Sequence, residues 1–186
     1  MIRNQPDEDL TIGVPLNRRR LKPVVPQRVR NLRKHLVEAL RAVRTMKGPP
    51  SPLRPEPEGF AGQVVRAACT LCKGWCCKGG GEHAYLDERT LARVRDARPE
   101  LDARAVLRLY ADSVPDKAYD SSCIFHGERG CTLDRALRSD ICNVYLCGEL
   151  GDFVLGNVPA RRVDLFAEHE GERRRSRVTR RPVQDG

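Results

Sequence analysis

Apolar residues recur every three or four positions through residues 27–47, a segment that is otherwise rich in arginine and lysine. This spacing places them on one face of a helix, and Gly48, Pro49 and Pro50 then end it. The pattern predicts an amphipathic basic helix that packs its apolar stripe on the rest of the protein and leaves its charges in solvent. RNA, an acidic partner and a membrane surface are the alternative ligands of the charged face. The stripe consists of Val29, Leu32, Leu36, Leu40, Val43 and Met46.

The segments on either side of this helix lack such periodicity. Residues 1–26 combine four prolines with a run of three arginines, which is typical of extended or disordered chain. Residues 48–59 are predicted to form a stiff proline-rich linker. The next domain is predicted to span residues 60–167. Residues 168–186 are charged and poor in apolar side chains, so a disordered basic tail is predicted there.

Short elements are predicted inside this domain. Asp87 is placed to cap a helix over residues 88–97, and a second helix is expected over roughly 101–113. Residues 123–133 are typical of a short β-hairpin, and one or two helical turns should follow within 134–147. Residues 153–155 and 163–166 are expected to form small strands or one terminal helix. The predicted fold is therefore α+β: a small irregular cysteine-rich domain of short helices and a hairpin, flanked by the basic helix and the disordered tail.

Charge separates the ends of the chain from its middle. Lysine and arginine number 34 against 25 acidic residues, but residues 63–150 carry 13 of each. Residues 1–62 hold most of the excess, with 13 basic and six acidic side chains. All eight cysteines lie in the neutral part, between Cys69 and Cys147. The cysteine-rich region therefore offers no electrostatic attraction for nucleic acid, whereas the basic flanks could attract a polyanion or a protein partner.

The chain shows no apolar run of membrane-spanning length and no hydrophobic segment of a signal peptide at its start. We therefore predict a cytoplasmic protein without a membrane span. Thiols in a reducing compartment are more often metal ligands or redox groups than members of disulfides.

The first cysteine group contains Cys69, Cys72, Cys76 and Cys77, followed by Lys78 and three glycines. A Cys-x-x-Cys turn lets two thiolates converge on one metal ion, and soft thiolates suit zinc or iron better than magnesium or calcium. Neighbouring side chains of an extended segment point in opposite directions. Cys76 and Cys77 are therefore not expected to join one tetrahedral site easily, which indicates two metals, or one ligand beside one supporting thiol.

The second group contains Cys123, Cys131, Cys142 and Cys147. The predicted hairpin would place the first two at matching ends of its strands, side by side. Eight thiolates could form two four-cysteine sites, one polynuclear cluster, or one closed site with thiols to spare. His83 and His126 could each replace a cysteine, or each could be an exposed histidine without a metal.

The order of these cysteines resembles the YkgJ-like family of cysteine-cluster proteins, which have a Cys-x2-Cys-x2-Cys-Cys group followed by four further cysteines. This chain has C-T-L-C-K-G-W-C-C at 69–77, C-I-F at 123–125, C-T-L at 131–133 and C-N-V-Y-L-C at 142–147, with Arg138 four residues before Cys142. It departs from the pattern with three residues between Cys72 and Cys76, and with Ser139 and Leu146 at positions of expected prolines. The resemblance implies a zinc- or iron-chelating domain and supplies no settled reaction.

Three functions are consistent with these observations. The first is a metal-binding protein of undefined role, which holds zinc or iron, an iron–sulfur cluster included, through the eight cysteines. The second is an iron- or iron–sulfur-dependent modifying enzyme with an open coordination position near His83 or His126, for which no catalytic residue is assigned. The third is a zinc-stabilised protein that anchors nucleic-acid phosphates with its basic helix and tail.

Overall fold

The computed structural model describes residues 8–180, which contain six α-helices and seven strands. Short 3₁₀ helices cover Val43–Thr45, Trp75–Gly79 and Arg135–Leu137. The strands are β1 (Glu8–Gly13), β2 (Leu21–Pro23), β3 (Lys117–Tyr119), β4 (His126–Gly127), β5 (Gly130–Cys131), β6 (Ala160–His169) and β7 (Glu172–Thr179). The helices are α1 (Pro26–Ala42), α2 (Gly59–Cys72), α3 (Glu88–Ala97), α4 (Ala103–Asp112), α5 (Asp140–Val144) and α6 (Gly148–Leu155). The α+β class is as predicted.

The chain divides into two compact units, each assembled from separated segments. The sheet unit comprises residues 8–17, 56–75 and 146–180 of the described chain, and the helical unit comprises residues 18–55 and 76–145. This division differs from the predicted single domain over 60–167, because segments from both ends of the chain join the sheet unit. Within residues 8–180, no helix has both the length and the apolar content that crossing a membrane requires.

The sheet unit is a three-stranded sheet in the order β1-β6-β7, with α2 and α6 packed against it. Strand β1 runs parallel to β6, and β6 runs antiparallel to β7. The alternating residues Val163, Leu165 and Ala167 are buried on one face. They pack with Ile12 from β1 and Val64 from α2 in one core cluster.

The helical unit packs α1, α3 and α4 around a second core. Helix α1 begins at Pro26, a residue whose fixed φ suits the first helical position. Its predicted apolar stripe is confirmed, since Leu32 and Leu36 are fully buried. Asp87 caps α3 as predicted, because its carboxylate accepts a hydrogen bond from the amide of Thr90 at 2.8 Å. Two small sheets, β2 with β3 and β4 with β5, complete this unit.

Disorder was predicted at both ends of the chain, and for two long segments this is wrong. Residues 8–13 form β1, and residues 172–179 form β7. The arginine-rich β7 is ordered because its backbone pairs with β6 and its side chains form cross-strand ion pairs, such as Arg177 with Asp164. Predicted disorder in residues 1–7 and 181–186 lies outside the described residues.

The predicted hairpin exists, but it is shorter and displaced along the chain. Strands β4 and β5 have two residues each, so His126 and not Cys123 lies opposite Cys131. Residues 153–155, which were predicted to form a strand or part of a helix, belong to α6. Residues 163–166 belong to the long strand β6.

Replacing Tyr110 with Phe tests the helical core. The buried hydroxyl donates a hydrogen bond to the carbonyl of Leu137 at 2.8 Å, so its loss should lower the free energy of unfolding by about 1–2 kcal/mol at neutral pH. Burial raises the pKa of Tyr110, so the folded protein retains a proton that the unfolded chain loses above about pH 10. The stabilisation is therefore complete below pH 10 and declines above it.

Urea unfolding at several pH values checks this expectation. Between pH 9 and pH 11 the free energy of unfolding should fall less for Y110F than for the unmodified protein. The two curves of unfolding free energy against pH should therefore converge in this window. The exposed Tyr145 provides the matched control, Y145F. Parallel curves for the unmodified protein and Y110F across that window would contradict the assignment.

Candidate metal centre

The structure divides the eight predicted cysteines between the two units. Cys69, Cys72 and Cys147 belong to the sheet unit, and five belong to the helical unit. All eight are free thiols. We call the second set the thiol cluster; it consists of Cys76, Cys77, Cys123, Cys131 and Cys142.

A backbone hydrogen bond joins the first and second cysteine groups within the helical unit. The amide of Cys123 donates to the carbonyl of Cys77 at 3.0 Å, and the amide of Gly80 donates to the same carbonyl at 3.1 Å. A further bond joins the same two segments, because the amide of Ile124 donates to the carbonyl of Gly81 at 2.8 Å. The glycine run and the segment before the hairpin are therefore held side by side.

Gly80 is the closest neighbour of Cys123 among these residues. A Cβ atom at position 80 would lie 2.8 Å from Cβ of Cys123 and 3.1 Å from its Sγ. Only a glycine leaves room for the cysteine here, and Gly80 itself is buried. The sequence analysis did not single out this residue, although the Gly79-Gly80-Gly81 run beside the first cysteine group was the available signal.

Arg28 of α1 holds the same two segments from the outside. Its Nε donates to the carboxylate of Glu82 at 2.6 Å, and its Nη2 donates to the carbonyl of Ser122 at 2.5 Å. The sequence analysis treated this arginine as one of the solvated charges of the basic helix. Its partners are distant in the chain, so helical periodicity could not reveal its role.

The vicinal pair Cys76 and Cys77 lies in a 3₁₀ helix and not in an extended segment. Consecutive side chains of such a helix differ in direction by about 120°, so the two sulfurs need not point to opposite sides. Their side chains form a hydrogen bond, which lowers the pKa of Cys76 to about 7. The same bond, followed by burial, raises the pKa of Cys77. The predicted opposition of the two side chains is therefore wrong.

Electrostatic interactions between thiols contribute to the raised pKa of three members of the thiol cluster, Cys77, Cys123 and Cys142. Negative charge on Cys123 or Cys131 contributes to the raised pKa of Cys77. Burial raises the pKa of Cys123 to about 12, with Cys131 and Cys142 adding to the shift. Burial likewise raises the pKa of Cys142, and Cys76 and Cys131 contribute to it. A nearby cation would reverse this trend by stabilising the thiolates.

The two histidines differ in environment. His83 is exposed, and its Nδ1 accepts a hydrogen bond from the amide of Tyr85 at 2.9 Å, so the neutral ring carries its proton on Nε2. His126 is only 1% exposed, and its Nδ1 lies 2.8 Å from the hydroxyl of Ser122. The expectation of an exposed histidine therefore holds for His83 and is wrong for His126.

The cysteines of the sheet unit have surroundings of their own. Cys69 and Cys72 lie in the last turn of α2, and Lys73 follows in the left-handed conformation with a φ of 54°. The buried Sγ of Cys72 accepts a hydrogen bond from the amide of Trp75 at 3.3 Å. Cys147 stands at the start of α6.

Within residues 8–180, no three cysteine, histidine, aspartate or glutamate side chains are arranged closely enough to hold a metal ion. The thiol cluster is thus a convergence of thiols and not a completed ligand shell. Its donor chemistry nevertheless fits zinc or iron, because these ions favour thiolates.

No protein-family model, curated protein or solved structure matches this chain. The resemblance to the YkgJ-like family therefore rests on the number and order of its cysteines.

The contact between Gly80 and Cys123 gives a direct test of how the thiol cluster is built. Replacing Gly80 with Ala should lower the free energy of unfolding by about 1–3 kcal/mol, because the added methyl group overlaps the Cys123 side chain and the nearby Cys77 carbonyl. Gly151 is the matched control, since a Cβ there would meet atoms of Leu146 only at 3.5 Å or more. Chemical denaturation should show the loss in G80A and not in G151A; equal stability of G80A and the unmodified protein would contradict the contact.

Proposed function

We propose that this protein binds a thiophilic metal ion, zinc or iron, through the thiol cluster of its helical unit. The observation that carries the proposal is that three segments of one compact unit, residues 76–77, 123–131 and 142, contribute five thiols, and that the backbone hydrogen bond from Cys123 to Cys77 joins the first two of these segments. Four thiolates complete a tetrahedral zinc or iron site, so the cluster contains enough donors without any contribution from the sheet unit.

The positions of these donors support the proposal. Cys77, Cys123 and Cys131 pack against the core of the helical unit, whereas Cys76 and Cys142 are exposed. Buried neutral thiols are inert, but a divalent cation lowers the pKa of a coordinating thiol and displaces its proton. Such an ion would cross-link loops that otherwise depend on a few backbone hydrogen bonds.

The neighbouring groups also suit a thiolate site. Hydrogen-bond donors stabilise the charge on metal-bound sulfur, and the Ser139 hydroxyl forms a side-chain hydrogen bond with Cys142 that opposes the rise in its pKa caused by burial. The helical core provides an apolar side to the cluster, with Ile124 and Phe125 fully buried directly after Cys123. The role we propose for the metal is structural, and this site does not require Cys69, Cys72 or Cys147, which belong to the sheet unit.

Elemental analysis of untagged, anaerobically purified protein tests the proposal. We expect about one zinc or iron per chain, and broad absorption near 400 nm would identify an iron–sulfur form. C77S and C123S should each retain less than half of the metal and unfold at a lower temperature, because each removes a donor from the cluster.

C69S is the matched control, since Cys69 is an exposed thiol outside the cluster. It should retain the metal. Zinc titration of the metal-free proteins against a chromophoric chelator separates a lost ligand from a misfolded variant. Absence of stoichiometric metal in the unmodified protein, or equal retention in C77S and C69S, would contradict the proposal.

A further inference from the structure

The sheet unit presents one face of its three-stranded sheet to solvent. Helix α2 contacts β6 and β7 on the side where Val163, Leu165 and Ala167 are buried. The intervening residues of β6 and β7 are exposed or half-exposed. An open depression of about 590 Å³ lies on the exposed face of the sheet. We call this exposed face the open sheet face; it is defined by Gly13, Asp164, Phe166, Arg173, Arg175 and Arg177.

Phe166 lies in the middle of the open sheet face and is 38% exposed. In the strand register it stands between Gly13 of β1 and Arg175 of β7. A Cβ atom at position 13 would lie 3.0 Å from Cζ of the ring and within 3.5 Å of both Cε atoms. The ring therefore extends over β1, where a glycine leaves room for it, and an aromatic surface remains available at the centre of the sheet.

The acidic residues of this face are paired with two of the three arginines. Arg177 donates two hydrogen bonds to Asp164, at 2.5 and 3.2 Å, and lowers the pKa of that carboxyl. Arg173 donates to Glu168 at 2.7 Å. Arg175 stands between these two pairs on β7 and contributes to the lowered pKa of Asp164, but among the described side chains its guanidinium has no hydrogen bond or ion pair.

We propose that the open sheet face binds single-stranded nucleic acid, with a base stacked on Phe166 and a neighbouring phosphate held by Arg175. A solvent-exposed aromatic ring on a sheet is a stacking surface for unpaired bases of any sequence. An adjacent arginine without an ion pair supplies the positive charge that a phosphate requires. Neither feature belongs to the thiol cluster, so this inference does not rest on metal binding.

An acidic peptide fits this face less well. It would be recognised through cations, and two of the three arginines of this face already neutralise Asp164 and Glu168. The central aromatic ring would then contribute little. A nucleic acid uses both the ring and the single unpaired guanidinium, which is the combination that the face presents.

Fluorescence anisotropy with the full-length protein tests the inference, using labelled twelve-residue oligouridylate and oligodeoxythymidylate at several salt concentrations. We expect salt-dependent binding of at least one of the two, and their comparison shows whether RNA or DNA is preferred. F166A should weaken binding about tenfold, the loss of roughly one base stack. R175A should weaken binding and reduce the magnitude of the salt slope by about 0.7, the value for one phosphate contact on a single strand.

Two matched controls separate this face from general surface effects. L155A removes an exposed apolar side chain of the sheet unit, and R108A removes an exposed arginine of α4; both should bind as the unmodified protein does. F166W keeps an aromatic ring, so it should retain binding, and its added emission should be quenched by the oligonucleotide.

The inference is overturned if neither oligonucleotide binds at low salt, or if F166A binds as tightly as L155A. Unchanged emission of F166W at saturating oligonucleotide would also overturn it. If polyglutamate competes as effectively as unlabelled oligonucleotide does, the open sheet face is a binding surface for acidic protein segments and not for nucleic acid. Matching thermal unfolding of F166A and the unmodified protein ensures that the comparison concerns binding.

Discussion

The backbone hydrogen bond from Cys123 to the carbonyl of Cys77 connects two parts of the chain that the sequence separates widely. Every other feature of the thiol cluster depends on this alignment. It places Cys123 against Gly80, where a larger residue would not fit. The hairpin that carries Cys131 follows directly from this aligned segment. Arg28 reinforces the alignment by bonding to Glu82 and to the Ser122 carbonyl. The sulfurs therefore converge because of glycine, amide and guanidinium contacts, and not because of attraction between thiols.

Helices α1, α3 and α4 could be predicted from the sequence because their signals are local, whereas α2, over Gly59–Cys72, was not predicted. The apolar period of α1 and the Asp87 cap both act within one or two helical turns. The β-sheet could not be predicted in the same way. Strand β1 pairs with β6 from the far end of the chain, and no short-range pattern encodes that partner. Strand β7 was interpreted as a charged tail because its cohesion comes from cross-strand ion pairs rather than from apolar residues.

The candidate site was predictable in its residue types and less so in its geometry. Cysteine number and order identified the thiols, but the distribution of those thiols between two compact units follows from tertiary contacts alone. The vicinal pair shows the same limit at short range: the choice between an extended and a 3₁₀ backbone changes the directions of Cys76 and Cys77. The exposed Phe166 was likewise not singled out, since its significance depends on Gly13 and Arg175 in neighbouring strands.

The parallel pairing of β1 with β6 has a consequence for how the chain matures on the ribosome. Both segments of the helical unit leave the exit tunnel before β6 does, so their contacts can form during synthesis. Strand β1 is synthesised before the other described elements, yet its backbone groups have no sheet partner until Val163 and its neighbours have been synthesised. Closing so long a loop is slow. The nascent chain thus carries an unpaired, partly apolar strand until β6 has been synthesised, which is the period when a chaperone that shields extended segments would matter most.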